Sequence, residues 1–168
     1  MTARKMNSLS GTPVLFYERE FYMFSNFSAF AVKYDGDMWP TAEHAYQAKK
    51  FYDFDIRDKI KSARSAHEAK QIAKVFEHEM RDDWEEVKLI VMEEIIWAKL
   101  SQHPYIQEKL LQTREREIIE DSHKDAFWGW GPDRDGENHL GKIWMHVRKE
   151  MRTVHGEPKF FEGTPFKA

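Results

Sequence analysis

The sequence predicts a mainly α-helical protein with a small β component, an α+β fold in one domain. Apolar residues recur at helical spacing in several long segments, of which Asp83 to Leu100 is the strongest. Short runs typical of strands occur only near residues 14–18, 29–35 and 117–120. A chain of 168 residues, 41% apolar and 33% charged, is large enough to bury a hydrophobic core.

Composition excludes several function classes. The chain has no cysteine, so thiolate metal sites, thiol nucleophiles and disulfides are excluded. Its net charge of −3 argues against broad coating of nucleic acid, although six basic residues between Arg57 and Lys74 suggest a local basic patch. The opening MTARKMNSLSG lacks the apolar run of a signal peptide, and no stretch approaches a membrane span. We therefore expect a cytoplasmic protein, or a nuclear one in a eukaryote, with no membrane contact.

The elements follow from caps and turn residues. Asp35-Gly36-Asp37 predicts a turn, and Pro40 with the N-cap Thr41 predicts a helix that runs to about Tyr52. Ser65 predicts another helix start, with Glu68 at the capping-box position. The predicted helices after the first are 55–62, 65–78, 83–100, 104–112 and 138–153.

The domain boundaries are also predicted from the pattern. Residues 1–12 form an N-terminal extension, 13–153 form the domain, and 154–168 form a C-terminal tail packed on it by its phenylalanines. The helix 83–100 is apolar around most of its circumference, which predicts a central and nearly buried helix.

The stretch WPTAEHAYQAKKF carries a polar stripe on an otherwise apolar helix. Steps of four and three residues keep Glu43, Gln47 and Lys50 within about 40° of one direction. Two interpretations stay open from spacing alone: a solvated face with i,i+4 partners, or one wall of a binding pocket.

The stretch EDSHKDAFWGWGPDRDGENHLGKIWM combines glycines, tryptophans and a helix start. One interpretation is a ligand loop, in which Trp128 stacks on a base or sugar and the helix N-terminus receives a phosphate. The other is a structural turn with aromatic packing. The stretch matches neither a P-loop nor GxGxxG.

The eight histidines of the chain raise the question of a metal site, but their spacing along the sequence does not support one. The chain contains no HExxH pair, and without cysteine no strong zinc pattern remains. We expect neither a metal nor a cofactor.

Three groups of motifs together resemble the NADAR (YbiA-like) family. They are FSNFS (24–28), WPTAEHAYQAKKF (39–51), and a late series from RDDWEEVKLIVM through D-x-FWG to G-x-N-x-LGKIWM, in the family's order. The resemblance covers about Phe16 to Met151. It implies the YbiA-like fold and an N-glycosidase acting on ribosylated bases, with no cofactor.

The resemblance implies two substrates for such an enzyme. The first is ADP-ribose on guanine, whose removal reverses ADP-ribosylation of nucleic acid. The second is a phosphoribosylamino-pyrimidine intermediate of riboflavin synthesis. A third interpretation, from another class, is a non-catalytic sensor that binds ADP-ribose or NAD.

The chemistry of a ribose C1′–N bond suggests roles for four residues. Positive charge builds on the sugar, so a carboxylate such as Glu43 fits beside C1′, and a neutral Lys50 could attack C1′ to form a Schiff base. Glu120 or Asp125 could then move protons. Lys99 is the competing lysine. The substrate-binding residues implied by the resemblance are Asn26, His44, Gln47, Trp84, Lys99, Trp128, Gly129, Asn138 and Gly141.

Overall fold

The protein is described by a computed structural model, which covers residues 11–17 and 20–153. These residues form two compact units. The middle unit is Asn26–His103, and the terminal unit comprises the described residues up to Ser25 together with those from Pro104 to Thr153. The predicted extent of the domain, 13–153, stays a prediction, and most of the extension and the whole tail, 154–168, lie outside the described residues.

The middle unit begins with a hairpin. Strand β1 (Val14–Phe16) belongs to the other unit, and the hairpin is formed by β2 (Val32–Tyr34) and β3 (Asp37–Trp39), which pair antiparallel. Asp35 and Gly36 both have positive φ, as a tight hairpin turn requires. The turn was predicted from sequence, but strand β3 was not, because three residues are too few to show an alternating pattern.

Four helices complete the middle unit: α1 (Ala42–Ala48), α2 (Phe54–Lys61), α3 (Ala66–Val75) and α4 (Trp84–Gln102). The caps Thr41 and Ser65 are confirmed, since their hydroxyls accept from the backbone N–H of His44 and Glu68. The predicted end of α1 at Tyr52 is wrong. The backbone tightens to i→i−3 hydrogen bonds at Lys50 and Phe51, and burial of the Phe51 ring turns the chain out of the helix.

Helix α4 is less buried than its composition predicts. One face packs in the core through Met92, Ile95, Ile96 and Lys99. Ile90, nine residues before Lys99 and therefore about 180° around the helix, is 60% exposed. The prediction of a nearly buried helix is wrong. Apolar residues occur on every side of α4, but its neighbours in the fold cover only part of its circumference. No helix among the described residues is long and apolar enough to cross a membrane.

The terminal unit combines an early and a late segment of the described chain. Strand β1 (Val14–Phe16) pairs in parallel with β4 (Ile118–Glu120), and Tyr22–Phe24 form a short 3-10 helix. Helices α5 (Pro104–Gln112) and α6 (His139–Thr153) complete it. Its core contains Phe24 and Trp144, whose ring centroids lie 4.8 Å apart. The indole Nε1 of Trp144 donates a hydrogen bond to the Phe24 carbonyl. The α+β class is thus confirmed, with α5 at its predicted bounds.

Candidate active site

The polar stripe of α1 is buried rather than solvated. Glu43 and Gln47 are only 6% and 3% exposed, and Lys50 is half-buried just beyond the end of the helix. Gln47 Nε2 donates to Glu43 Oε1 over 2.7 Å, which fixes the orientation of the amide. Among the described residues, the buried Gln47 Oε1 has no hydrogen-bond partner. Folding alone does not explain such an acceptor, so the solvated-face interpretation is wrong.

Lys50 lies against two aromatic rings. Its Nζ is 5.5 Å from the ring centroid of Tyr46 and 5.8 Å from that of Trp84, and these two rings are 5.0 Å apart. Burial lowers the pKa of Lys50, the charge of Glu43 partly opposes this, and the ammonium of Lys70 lowers it further. The environment therefore makes the Lys50 amine easier to deprotonate than an exposed lysine, and it keeps a carboxylate nearby.

Asn26 is placed beside the start of α1 by its own backbone. Its carbonyl accepts from the backbone N–H of Glu43 over 3.0 Å, and its side-chain Nδ2 donates to the sulfur of Met92 over 3.2 Å. Its Oδ1 is buried and has no hydrogen-bond partner within the described part of the chain. Asn26 and Gln47 thus each hold a buried acceptor in the same unit as Glu43.

Lys99, the competing lysine, is fully buried on α4. Its Nζ donates to Ser28 Oγ over 2.7 Å and lies 5.6 Å from the Phe30 ring centroid. Burial lowers the pKa of Lys99 to about 7. Its amine is readily neutral, but it is enclosed, whereas Lys50 is partly accessible.

His44 holds α1 in place. Its ring Nδ1 lies 2.8 Å from Thr41 Oγ1 and its Nε2 lies 3.1 Å from the carbonyl oxygen of Ala63. Burial lowers the pKa of His44, so the neutral ring is favoured. Because both ring nitrogens bond to protein groups, the geometry gives His44 a positioning role rather than a direct contact to a ligand.

The remaining predicted residues belong to the terminal unit, where their contacts are mostly internal. Asp125 Oδ1 accepts from the backbone N–H groups of Phe127 and Trp128, over 3.0 and 2.8 Å. The half-buried Trp128 ring packs on Phe127 and near His139. Glu120 ends strand β4, opposite Phe16. These contacts form a structured turn.

Asn138 and the two glycines support strand β4. Asn138, at φ +52°, accepts on Oδ1 from the backbone N–H of Glu120 and donates from Nδ2 to the Ile118 carbonyl. A Cβ on Gly129 would lie 2.6 Å from the Glu120 carbonyl oxygen, and one on Gly141 would lie 2.1 Å from that of Ile118. The glycines therefore permit close backbone packing.

The start of α6 is not an open phosphate cradle. The backbone N–H groups of Asn138, His139 and Leu140 donate to carbonyls of the preceding loop at Gly129, Phe127 and Trp128. The phosphate-binding interpretation of this helix start is wrong, because the loop itself satisfies those donors. The structural-turn interpretation fits the contacts.

Sequence reasoning missed two neighbours of the candidate lysines. Ser28 bonds Lys99, and its place in FSNFS, two residues after Asn26, was a signal that could have found it. Lys70 acts on Lys50 from α3, and only the fold reveals this. Within the described residues, no group of three or more histidines and acids could hold a metal ion.

Comparison with known proteins agrees with the motifs. The family model described as the NADAR domain matches residues 15–152. A riboflavin biosynthesis protein of Vibrio vulnificus is 37% identical over 142 residues, which span 83% of this chain but 39% of that protein. The chain thus spans about two fifths of that relative's length.

Two further findings concern a shorter relative. The N-glycosidase YbiA of Escherichia coli is 38% identical over 128 residues, covering 76% of this chain and 80% of that one. The NMR structure of E. coli YbiA superposes with a TM-score of 0.79 at 30% identity, covering 97% of this chain and all of that chain.

Proposed function

The chain belongs to the NADAR domain family and is by reaction class an N-glycosidase, and we propose that it removes ADP-ribose from guanine bases through a Schiff base on Lys50. The observation that carries the proposal is the buried stripe of α1. It places a carboxylate and an amide oxygen without a partner among the described residues on α1, with a lysine of lowered pKa just beyond the end of that helix. Membership of this class of enzymes argues against a non-catalytic sensor.

The proposed reaction starts with the neutral amine of Lys50. It attacks C1′, the C1′–N bond breaks, and the bonding electron pair leaves with the base. The proton lost by the new C1′-ammonium passes through the Glu43 carboxylate to the departing base nitrogen. The nitrogen lone pair then forms the C1′=N imine as the C1′–O4′ bond breaks, and the N–H proton passes to O4′. Water adds at C1′, the C1′–N bond to Lys50 breaks with a proton returned to the amine, and the free ADP-ribose closes its ring again.

Glu43 contributes a second effect. Its negative charge lies where positive charge develops on the sugar, so it stabilises the transition state more than the ground state. The same charge opposes the lowering of the Lys50 pKa. Burial is the largest influence on that pKa and Lys70 adds to it, so the pKa stays below the ordinary lysine value although Glu43, Glu77 and Glu85 raise it.

Access favours Lys50 over Lys99. Lys99 has the amine that loses its proton more easily, with a pKa of about 7, but it is fully enclosed and bonded to Ser28. A nucleophile must reach C1′ in line with the departing base. Lys50 is only half-buried, so a substrate can approach it without opening the core.

A second candidate substrate is favoured by the names of the relatives. The Vibrio vulnificus protein is named for riboflavin biosynthesis, and a phosphoribosylamino-pyrimidine presents the same C1′–N bond as ADP-ribosyl-guanine. Both substrates are anionic, and the exposed ammonium of Lys70 acts on Lys50 from nearby. The proposed chemistry at Lys50 and Glu43 is therefore the same for both.

A chromatographic assay separates the two substrates. We expect an ADP-ribosylated guanine oligonucleotide to yield free ADP-ribose and unmodified guanine, with less turnover of the phosphoribosylamino-pyrimidine. Faster cleavage of the pyrimidine would replace the first substrate with the second. No cleavage of either by the folded protein would overturn the proposal.

Variants of two adjacent lysines provide a matched control. Lys50→Met should abolish turnover, whereas Lys49→Met should retain it, because the Lys49 ammonium is bonded to Asp35 over 2.7 Å. Equal activity of the Lys50→Met variant and the unmodified protein would contradict the role of Lys50.

A further inference from the structure

Two aromatic rings stand exposed just after the candidate nucleophile. Tyr52 is 67% exposed and Phe54 is 77% exposed, although rings of this size normally bury most of their surface. Between them, Asp53 caps α2 by accepting from the backbone N–H of Ile56, so this backbone is fixed. The rings are therefore presented to solvent by an ordered turn rather than by a loose one.

An arginine accompanies each ring. The Arg81 guanidinium carbon lies 4.9 Å from the Tyr52 ring centroid, and that of Arg57 lies 5.7 Å from the Phe54 ring centroid. Arg81 is held by two hydrogen bonds to Asp83, of 2.5 and 2.7 Å. Tyr52, Phe54, Arg57 and Arg81 are called the aromatic platform below.

The platform is continuous with the candidate active site. Tyr52 lies two residues after Lys50, so their Cα atoms are at most about 7 Å apart. The backbone N–H of Arg81 donates to the Lys50 carbonyl over 2.8 Å. The platform is therefore within reach of a chain attached to a sugar held at Lys50.

The charge near the platform is uneven, and its basic part follows Phe54 along α2 and α3. From Arg57 to Lys74 the sequence holds six lysine and arginine residues against two acidic ones, whereas residues 77–86, around Arg81, hold six acidic residues. Arg57 also lies 3.7 Å from a carboxylate oxygen of Asp35, so the cations offered to a polyanion are chiefly those of α2 and α3. Aromatic rings on which bases stack, flanked by cations that meet phosphates, are the usual composition of single-strand nucleic-acid sites. A duplex keeps its bases stacked on one another and offers no free face to such rings.

We propose that the aromatic platform binds single-stranded nucleic acid, stacking the bases that flank the modified guanine on Tyr52 and Phe54. This inference rests on the proposed function for its biological sense, but binding of an unmodified strand does not depend on catalysis. The platform gives the enzyme a preference for ADP-ribosylated strands over the free ADP-ribosylated nucleoside.

The test is fluorescence anisotropy with a fluorescein-labelled, unmodified 12-nucleotide single strand of mixed sequence. We expect the Tyr52→Ala/Phe54→Ala variant to bind at least about tenfold more weakly than the unmodified protein, and a duplex to bind about tenfold more weakly than the single strand. Tyr105→Ala is the matched control, because Tyr105 is also exposed and carries Lys109 over its ring at 5.6 Å.

Several results would overturn the inference. The first is that the unmodified protein does not bind the single strand. The second is that the double alanine variant binds it as tightly as the unmodified protein, and the third is that Tyr105→Ala loses as much affinity as the double variant. Loss of a dimer in the double variant, without any nucleic-acid binding by the unmodified protein, would assign the platform to a second copy of the chain. Retained binding by Phe54→Tyr would support stacking.

Kinetics separate this inference from the proposed function. With ADP-ribosylated substrates, the double variant should lose about tenfold in kcat/KM on the oligonucleotide and keep its rate on the nucleoside. If the unmodified protein cleaves neither but binds the unmodified strand through Tyr52 and Phe54, the proposed function fails while the platform stands.

Discussion

The stripe on α1 and the glycine-rich loop before α6 contain the same kinds of residues and use them in opposite ways. In the loop, Asp125 and Asn138 direct their oxygens to backbone N–H groups of the same unit. On α1, Glu43 is bonded to Gln47, whose own Oε1 is buried without a partner among the described residues. The Asp125 and Asn138 side chains thus hold the fold, although the Trp130 Nε1 donor of the loop is also buried without a partner among the described residues. In the stripe, the atom left open is an acceptor next to a carboxylate and a lysine of lowered pKa.

The contrast teaches how to distinguish the two uses. A buried polar group normally has its hydrogen bonds satisfied, so an unsatisfied acceptor that lies with a carboxylate and a lysine of lowered pKa is a candidate contact for a ligand. A polar residue type, or a glycine, carries no such information by itself. Substitutions in the stripe should therefore change rate, and substitutions in the loop should change stability.

The largest effect is expected for Glu43→Gln. Loss of the charge beside C1′ should lower kcat/KM by about 10³-fold, or about 4 kcal/mol. The free energy of unfolding should change by less than about 1 kcal/mol, since a glutamine oxygen still accepts from Gln47. Steady-state kinetics and urea unfolding of the same preparation measure both. A rate loss no larger than the loss of folded protein would make Glu43 a structural residue.

Gly141→Ala should give the largest loss of stability. Its Cβ would lie 2.1 Å from the Ile118 carbonyl oxygen and 2.5 Å from the Asn138 amide, so strand and helix must separate. We expect the free energy of unfolding to fall by about 3 kcal/mol. Gly36→Ala is the control, because Gly36 has φ +79° and open space around it and should lose only about 1 kcal/mol. Equal losses would attribute the Gly141 effect to something other than crowding.

Lys99 predicts a pH dependence of stability. Between about pH 7 and the ordinary lysine pKa of 10.5, the unfolded chain keeps a proton on Lys99 that the folded chain has released. Raising the pH across this range therefore favours folding, by up to about 1.4 kcal/mol per pH unit, and below pH 7 the stabilisation is absent. Urea unfolding at several pH values should show a shallower rise in Lys99→Met. The exposed Lys59→Met serves as control, and an identical slope in all three proteins would contradict the burial argument.

Asp125→Ala should have the smallest effect of the set. Its Oδ1 accepts from two backbone N–H groups in a half-buried turn, so its loss should lower the free energy of unfolding by about 1–2 kcal/mol. Thermal or urea unfolding measures this, with the exposed Asp55→Ala as comparison. No change in stability would mean that the turn does not depend on this carboxylate and that its role must be sought elsewhere.

Local sequence signals predicted much of the fold. Thr41 and Ser65 fixed two helix starts, because a cap acts on the residues next to it. The end of α1 was predicted four residues too late, since burial of Phe51 depends on packing that no local pattern contains. Strand β3 was missed for lack of length.

In the candidate site, too, local patterns were predictable from sequence and contacts between distant residues were not. Helical spacing was enough to put Glu43, Gln47 and Lys50 together, since all three lie within two turns. The role of Asn138 was not predictable, because its partners Ile118 and Glu120 are 20 and 18 residues away. Its bracing of β4 therefore shows only in the fold, and its predicted part in substrate binding stays a prediction.

The central claim is that the α1 stripe performs covalent chemistry through Lys50. The most direct test is to incubate the protein with whichever of the two substrates it cleaves, reduce with sodium borohydride and map the adduct by mass spectrometry. We expect a stable sugar adduct on Lys50 that is absent in Lys50→Met and present in Lys49→Met. An adduct on Lys99, or no adduct on any lysine during active turnover, would contradict it.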